Sequence, residues 1–495
     1  MCFGDVFFFL QNFYSCVLRK FLFVGSFRNC LFGVFMRRIH GFGVWNEAPT
    51  VEEEREDRIS RLPDDVILLI VSRLYTRDAV RTSVLSRRWK HVYTFVSEVR
   101  FYCFMIRHSH LKGKNLREFR RKFVQAVDTF LQHHSGSRIK SFDLVCCFRG
   151  CNLDSLRRLM NYVGRLGVEG LTIRYCCTNH VQKSIPPIFS SDFLPEALSV
   201  KHGSFQISSQ KALKDLELND VALTYEAVEC ILLNCCSLQS LELNSCMLPS
   251  KLHIHGPDLQ LKILRVSMCS KVAEIDLSSI NLTTFELCTL RMLVLSFSNV
   301  PLLQNISINV FDRRVAPYVF VKVAKDLPNL ECMYFRTDAK LFEAFEIGGV
   351  NKLSHLRQLA LFLNHKNNLD LLALATVLDV CPLLHKFRLS MRLTSTFNGK
   401  RAEKIVVRHH TQLREVEFSG FSMTENEYNF ILHILENAVS LERLSIFLDV
   451  KFYPESLGRW LCRNHNQVDR LEKQRIIRER LQGQSISKNV EIIIV

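Results

Sequence analysis

Residues 213–243 read LKDLELNDVALTYEAVECILLNCCSLQSLEL, and one phrase, L-x-x-L-x-L, occurs there twice, from Leu213 and from Leu238. With any large apolar residue allowed, it returns from Leu261, Leu282, Leu303, Leu330, Leu356, Leu384, Leu413 and Leu441. Successive starts lie 25, 23, 21, 21, 27, 26, 28, 29 and 28 residues apart. A fixed period of this length is the mark of a solenoid, in which no unit buries its apolar face alone but a stack does. Weaker copies begin at Ile139 (IKSFDL) and Val168 (VEGLTI), while 177–200 holds only the fragment ALSV, with Pro186-Pro187 marking a loop. Cys246, Cys269 and Asn364 stand where the chain turns off a strand.

Between the phrases, Tyr225–Leu233, Val319–Leu327, Leu369–Leu378 and Glu425–Leu435 are apolar at three- and four-residue spacing, which predicts helical returns. The fold class is therefore α/β, a leucine-rich-repeat solenoid with parallel strands on the concave face and helices on the convex face. Strand side chains alternate, so the third and fifth positions of each phrase share the side opposite the leucines. Asp215, Glu217, Glu242, Arg265, Glu286, Tyr334, Lys386 and Arg388 occupy such positions and are the candidate substrate face. Their order predicts a surface running from acidic to basic, with a basic ligand segment over the early repeats. Ahead of the array, Leu116–Leu131 reads as an amphipathic helix with Phe119, Phe123, Val127 and Phe130 on one side, expected to join the preceding domain to the first repeats.

The 495 residues are 47% hydrophobic and 23% charged, with mean hydropathy +0.06 and net charge +16, the balance of a well-packed globular chain. Eighteen cysteines include the pairs Cys146-Cys147, Cys176-Cys177 and Cys235-Cys236 and no CxxC, a pattern of small buried hydrophobes in a reducing compartment. Nucleus or cytoplasm is the expected location. Residues 1–51 form a Phe-rich extension, with 11 phenylalanines between Phe3 and Phe42. Arg19, Lys20, Arg28, Arg37 and Arg38 break it into runs too short to span a membrane, which needs about 20 apolar residues. Met36 is the expected true start, an interfacial anchor being the alternative.

A different composition begins at Glu52, with the acidic run Glu52–Asp57 as a solvated lead-in. Pro63 sits in a first helical turn, with Asp64 and Asp65 placed to favour the dipole. Ile67, Ile70, Val71 and Leu74 make one apolar stripe. Thr76 is placed to cap a second helix carrying Ala79, Val80 and Val84, and Ser86 a third carrying Trp89 and Val92. Leu62-Pro63, Ile67, Leu74, Arg77-Asp78-Ala79-Val80 and Leu85-Ser86-Arg87-Arg88-Trp89 together resemble an F-box of the plant F-box/FBD/leucine-rich-repeat family, with Tyr93 where many relatives carry a second Trp. The resemblance implies a three-helix F-box over 52–98 that docks on the Skp-type adaptor of a cullin-based (SCF) ubiquitin ligase. Leu62, Pro63, Ile67, Leu74, Val80, Leu85, Ser86 and Trp89 are its candidate adaptor-binding residues. Repeats would fill 99–400. Residues 409–446, with Glu436-Asn437-Ala438 between Leu435 and Leu441, are similar to the FBD region that closes many such proteins, so 401–495 is read as an FBD-like cap. Its charged tail should form a helix and then a short terminal strand.

No GxxxxGK[ST], GxGxxG after a strand, HExxH or GxSxG occurs. His133-His134, His409-His410 and His253-x-His255 lack partners at metal spacing. The expectation is an adaptor and not an enzyme, with no catalytic residue, cofactor or metal, and with a Skp-type subunit, a cullin through it and a protein substrate as partners. Neither nucleic acid nor membrane is expected. Two alternatives stay open: an F-box scaffold with no ligase role, and a repeat protein that binds nucleic acid, the latter resting on charge alone.

Overall fold

The computed structural model describes residues 62–103, 113–136, 138–146, 162–175, 188–189, 212–256, 258–290, 293–310, 316–337, 353–363, 371–391, 409–452, 461–463, 470–483 and 490–495. The Phe-rich extension, Met36, the acidic run, the 177–200 stretch apart from 188–189, and Asn364 lie outside them. Contacts divide the chain into two compact units, Met1–Tyr93 and Thr94–Val495.

In the first unit, α1 (Asp64–Ser72) starts where the Pro63 carbonyl accepts the amides of Val66 and Ile67, and Ile67, Ile70 and Val71 are buried. The next helix, α2 (Thr76–Arg81), is capped differently from expectation: Tyr75 is the N-cap, with no side-chain bond, and Thr76 is a buried first helical residue. Helix α2 tightens into a 3-10 turn at Thr82–Val84. The expected third helix takes the form of hydrogen-bonded turns, with the Trp89 amide on the Ser86 carbonyl, followed by a 3-10 turn at Val92–Phe95. Trp89 is fully buried and Arg88 ion-pairs with Asp64, which ties the end of the segment back to the start of α1.

The second unit is built on one parallel sheet of 14 strands. Its first four are β1 (Glu98–Tyr102), β2 (Ser141–Cys146), β3 (Gly170–Tyr175) and β4 (Asp215–Asn219). Then come β5 (Ser240–Asn244), β6 (Ile263–Ser267), β7 (Thr284–Thr289), β8 (Asn305–Val310) and β9 (Cys332–Thr337). The last are β10 (Gln358–Leu363), β11 (Lys386–Met391), β12 (Glu415–Ser419), β13 (Arg443–Phe447) and β14 (Glu491–Ile494). From β4 to β13 every strand begins at the third position of a sequence phrase. Burial alternates accordingly: in β5 Leu241 and Leu243 are buried while Ser240, Glu242 and Asn244 are partly exposed.

Helix α3 (Gly113–His133) is the crossover from β1 to β2 and belongs to the array; it is not the connector expected from sequence. Val127 and Phe130 are buried on it, with Phe130 edge-on to Phe101 of β1 at 5.3 Å. The later helices are α4 (Tyr225–Asn234), α5 (Ala316–Asp326), α6 (Leu374–Asp379), α7 (Glu425–Asn437) and α8 (Arg470–Leu481). A 3-10 turn, Leu371–Ala373, precedes α6, so that return is tighter than one continuous helix. Thr424 and Glu427 form a reciprocal capping box on α7. On α8 only Ile477 and Leu481 are buried, and Arg480 holds it to Glu425 at 2.6 Å and over the Tyr428 ring at 4.0 Å.

Among the described residues, three returns are strands of four or five residues. Lys251–His255, Glu274–Ser278 and Val294–Phe297 form a second parallel sheet on the far side of β5–β8. These are the repeats of 23, 21 and 21 residues, and length explains the exchange. About ten helical residues span roughly 15 Å, a distance that about five strand residues cover. A repeat some five residues short crosses the core only in extended form.

The turn after β4, β5 and β6 is also repeated. Asp220, Ser245 and Met268 have φ of 55°, 53° and 52°. Each donates its amide one repeat onward, to Asn244, Ser267 and Cys288 carbonyls at 2.9, 2.7 and 2.8 Å.

Candidate functional site

Register sorts the candidate substrate face into two rows. Glu217, Glu242, Arg265, Glu286, Ser307, Tyr334, Ala360, Arg388 and Glu417 are successive partners across β4–β12, so six of the eight sequence candidates stand in one line. Asp215 and Lys386 belong to the row two residues earlier, with Ser240, Ile263, Thr284, Asn305, Cys332 and Gln358 between them. The longer row continues back through Thr172 and Asp143 to Arg100. Arg100 escaped sequence reading because β1 carries no leucine phrase. Asp143 was legible as the fifth position of IKSFDL.

These side chains are joined to one another. Glu217 accepts from Thr172, Arg174 and Asn219 at 3.3, 3.2 and 2.8 Å. Asn244 bonds Glu242 at 2.7 Å and Asn219 at 3.2 Å, which explains why the phrase LELN occurs in both β4 and β5. Arg265 lies between Glu242 (3.7 Å) and the buried Glu286 (3.0 Å). Further on, Lys386 pairs with Glu415, and Glu417 takes Arg388 at 3.7 Å and Lys451 at 2.9 Å. The acidic-to-basic gradient is thus weaker than the candidate residues alone suggest, because the basic end carries its own carboxylates. Acids still outnumber bases on β1–β7, and Arg336, Lys386, Arg388 and Lys451 shift the balance on and beside β9–β12.

Two hollows lie along the rows. One of about 390 Å³ is lined by Glu98, Arg100, Asp143, Glu169, Asp215, Glu217 and Glu242 among others. Burial raises the Asp143 carboxyl above its ordinary value, with Arg100 opposing and Glu217 reinforcing; burial likewise raises Asp215. A cationic ligand here would be welcomed by carboxylates that desolvation already penalises. The second, about 270 Å³, has the small buried residues Ser307 and Ala360 beneath it and Glu286, Tyr334, Lys386 and Arg388 around it. Beyond it, the hairpin of Val450–Phe452 and Leu461–Arg463 crosses the strand ends: Ser390 donates to the Lys451 carbonyl and Ser419 to Ser390 at 2.8 Å.

In the first unit the candidate adaptor-binding residues separate by depth. Leu62, Ile67 and Trp89 are buried and form this unit's own small core. Leu74, Leu85 and Ser86 are half-buried, and Pro63 and Val80 are exposed. Further exposed apolar surface stands beside them: Leu69 and Tyr75, which the sequence reading did not single out, and Val84, expected on the second helix and 76% exposed. The signal for Leu69 was present as an apolar residue falling off the α1 stripe.

Among the described residues no group of His, Cys, Asp or Glu is placed to hold a metal ion, and no helix is long and apolar enough to cross a membrane. His253 instead faces Asp276 across the second sheet at 3.6 Å.

Residues 59–92 match the F-box domain, a module that in general binds a Skp-type partner, and residues 130–479 match the leucine-rich-repeat domain described for At1g61320/AtMIF1. The chain is 29% identical over 245 residues to the Arabidopsis thaliana F-box protein At1g80960, covering 47% of this chain and 49% of that protein. It is 32% identical over 194 residues to the putative F-box/LRR-repeat protein At3g58880 of the same plant, covering 38% and 42%. With the F-box protein At3g59000, also from Arabidopsis, identity is 35% over 118 residues and 24% of each chain. The chain spans less than half the length of each of these three. A helical unit matched as an F-box, followed by 14 parallel strands matched over most of their length, leaves one assignment: the chain belongs to the F-box/leucine-rich-repeat family.

Proposed function

We propose that this protein is the substrate-recognition subunit of an SCF-type ubiquitin ligase. The F-box binds a Skp-type adaptor, and a cullin through it, while the open face of the sheet holds a protein substrate. The observation that carries the reading is the pairing of exposed apolar side chains on the F-box unit, Leu69, Tyr75, Val80 and Val84, with two in-register rows of mostly polar side chains on the repeats, broken by Ile263 in one and Ala360 in the other. In this reading the subunit performs no bond chemistry. It raises the effective concentration of substrate lysines near the ubiquitin-charged enzyme. Residues 401–495 serve as the FBD-type cap, and the protein works in the nucleus or cytoplasm without cofactor. Carboxylates along β4–β7 favour a basic protein segment and disfavour phosphate, which weighs against a nucleic-acid partner.

The test is a pull-down with purified Skp-type adaptor. Val80→Asp/Val84→Asp changes exposed positions only and leaves the buried Ile67 and Trp89 in place. Charging the centre of an apolar interface should weaken adaptor binding at least about thirtyfold, with the circular dichroism spectrum unchanged. A folded variant that binds as tightly as the parent would refute the docking surface. A parent chain that binds no Skp-type adaptor would remove the ligase reading and leave the non-ligase scaffold.

A further inference from the structure

Two cysteines occupy the same place in consecutive repeats. Cys246 follows β5 and Cys269 follows β6, each one residue beyond a left-handed turn residue, Ser245 and Met268. The next residues, Met247 and Ser270, pair in parallel, and the Ser270 amide donates to the Cys246 carbonyl at 2.8 Å. The two cysteines are therefore opposite one another on adjacent extended backbones. Such backbones lie about 4.8 Å apart, within the Cα separation of about 4.4–6.8 Å that a disulfide bridges.

The thiols also run in parallel. Cys246 Sγ donates to the Leu218 carbonyl and Cys269 Sγ to the Leu243 carbonyl, both at 3.2 Å and both one repeat back. We propose that Cys246 and Cys269 are a peroxide-sensitive pair that closes into a reversible disulfide, stapling two consecutive repeats together beside the Glu242–Arg265 part of the open face. This inference stands apart from the ligase reading and needs no partner protein.

The two sulfurs differ in a way that assigns their order of reaction. Cys269 is partly exposed and Cys246 is buried. The adjoining Cys246 thiol holds Cys269 below the ordinary thiol range, and the same contact together with burial pushes Cys246 up. Cys269, as thiolate, attacks a hydroperoxide, breaking its O–O bond and forming a sulfenic acid with release of an alcohol, or of water from hydrogen peroxide. The Cys246 sulfur then attacks the sulfenic sulfur; the S–S bond forms, hydroxide leaves, and the Cys246 proton goes with it as water. Each sulfur is oxidised by one electron and the peroxide gains two. A thiol reductant reverses the link by exchange. Deeply buried Cys235 and Cys381 have their thiols pushed up by burial, Cys381 to about 12, and are poor competitors for the first attack; Cys246 shares that handicap and reacts only because it is held opposite Cys269.

The full-length reduced protein is treated with equimolar hydrogen peroxide, alkylated and digested with trypsin without reduction. The expected product joins peptides 215–251 and 266–271, with fragment ions placing the link on Cys246 and not on Cys230, Cys235 or Cys236, and it disappears with dithiothreitol. In Cys246→Ser, dimedone should trap Cys269 as the sulfenic acid several times more than in the parent, because no resolving thiol remains. Oxidation of Cys269 to sulfinic acid in the parent with Cys246 still free would overturn the proposal. So would a link that omits either residue, or equal dimedone trapping in both proteins.

Discussion

Gly420 holds φ +78° directly against Met391: a Cβ on it would stand 1.9 Å from the Met391 carbonyl oxygen. The contact lies where β12 leaves the sheet beside the end of β11, and the Gly420 amide is taken up by Phe447 and Asp449 carbonyls at 2.9 and 3.0 Å. Gly420→Ala must therefore move backbone against backbone at a conformation that alanine already disfavours. A loss of at least about 3 kcal/mol is expected, read as a fall in the denaturation midpoint. A variant as stable as the parent would show that the β11–β12 junction can open freely.

Met268 shares the left-handed turn position with Asp220 and Ser245 but lacks their short polar side chains. An unbranched apolar residue there costs roughly 1–2 kcal/mol, and asparagine tolerates the region best among non-glycine residues. Met268→Asn should stabilise by about 0.5–1 kcal/mol. Asp220→Asn, at the equivalent turn, should gain almost nothing. Chemical denaturation of the two variants beside the parent separates the outcomes.

The C-terminal repeats should be acid-sensitive through histidine. Burial lowers His410 to about 4, assisted by His433 and His409, and burial lowers His433 against the pull of Glu436. A folded-state value below the unfolded value of about 6.5 means that unfolding takes up protons below neutrality. The neutral imidazole's contribution is fully present above about pH 6.5 and is lost as pH falls toward 4, by about 2 kcal/mol once partial exposure is allowed for. His410→Gln removes that titration. The parent should lose more stability than His410→Gln between pH 7 and pH 4.5; parallel pH profiles would contradict the burial argument.

Charge reversal at Glu217 and Glu242 would be a poor test of the open face, since it sets lysines against Arg174 and Arg265. Glu217→Gln/Glu242→Gln keeps an acceptor for Asn219 and Asn244 and removes only charge. Stability should fall by less than about 1 kcal/mol per site, while affinity for a basic protein segment drops about tenfold. Undiminished binding in a titration of such a segment would exclude these carboxylates as its recognition surface.

Much of this architecture could be read from leucine spacing. From β4 to β13 the strand starts follow the phrase directly, and six open-face candidates fall in one register row because period-two alternation has no freedom within a strand. Three things were not legible. The strand returns at 251–255, 274–278 and 294–297 contain too few residues for helical periodicity to show. Partner selection across strands depends on which repeat stands next to which, so Arg265 gave no hint that it serves both Glu242 and Glu286. In the F-box unit, apolarity alone could not say which side chains lie inside: Trp89 and Val84 read alike and end at opposite extremes of burial.

The exchange of strand for helix in the shortened repeats separates two design problems. Between β5 and β8 the back of the solenoid is rebuilt, yet the register of the front strands passes through unchanged. Residues can be added to or removed from a repeat without shifting the register of the two front rows. A lineage of such proteins could vary repeat length and ligand-facing residues as independent traits, and an engineer could graft a new front onto this back, or the reverse, one repeat at a time.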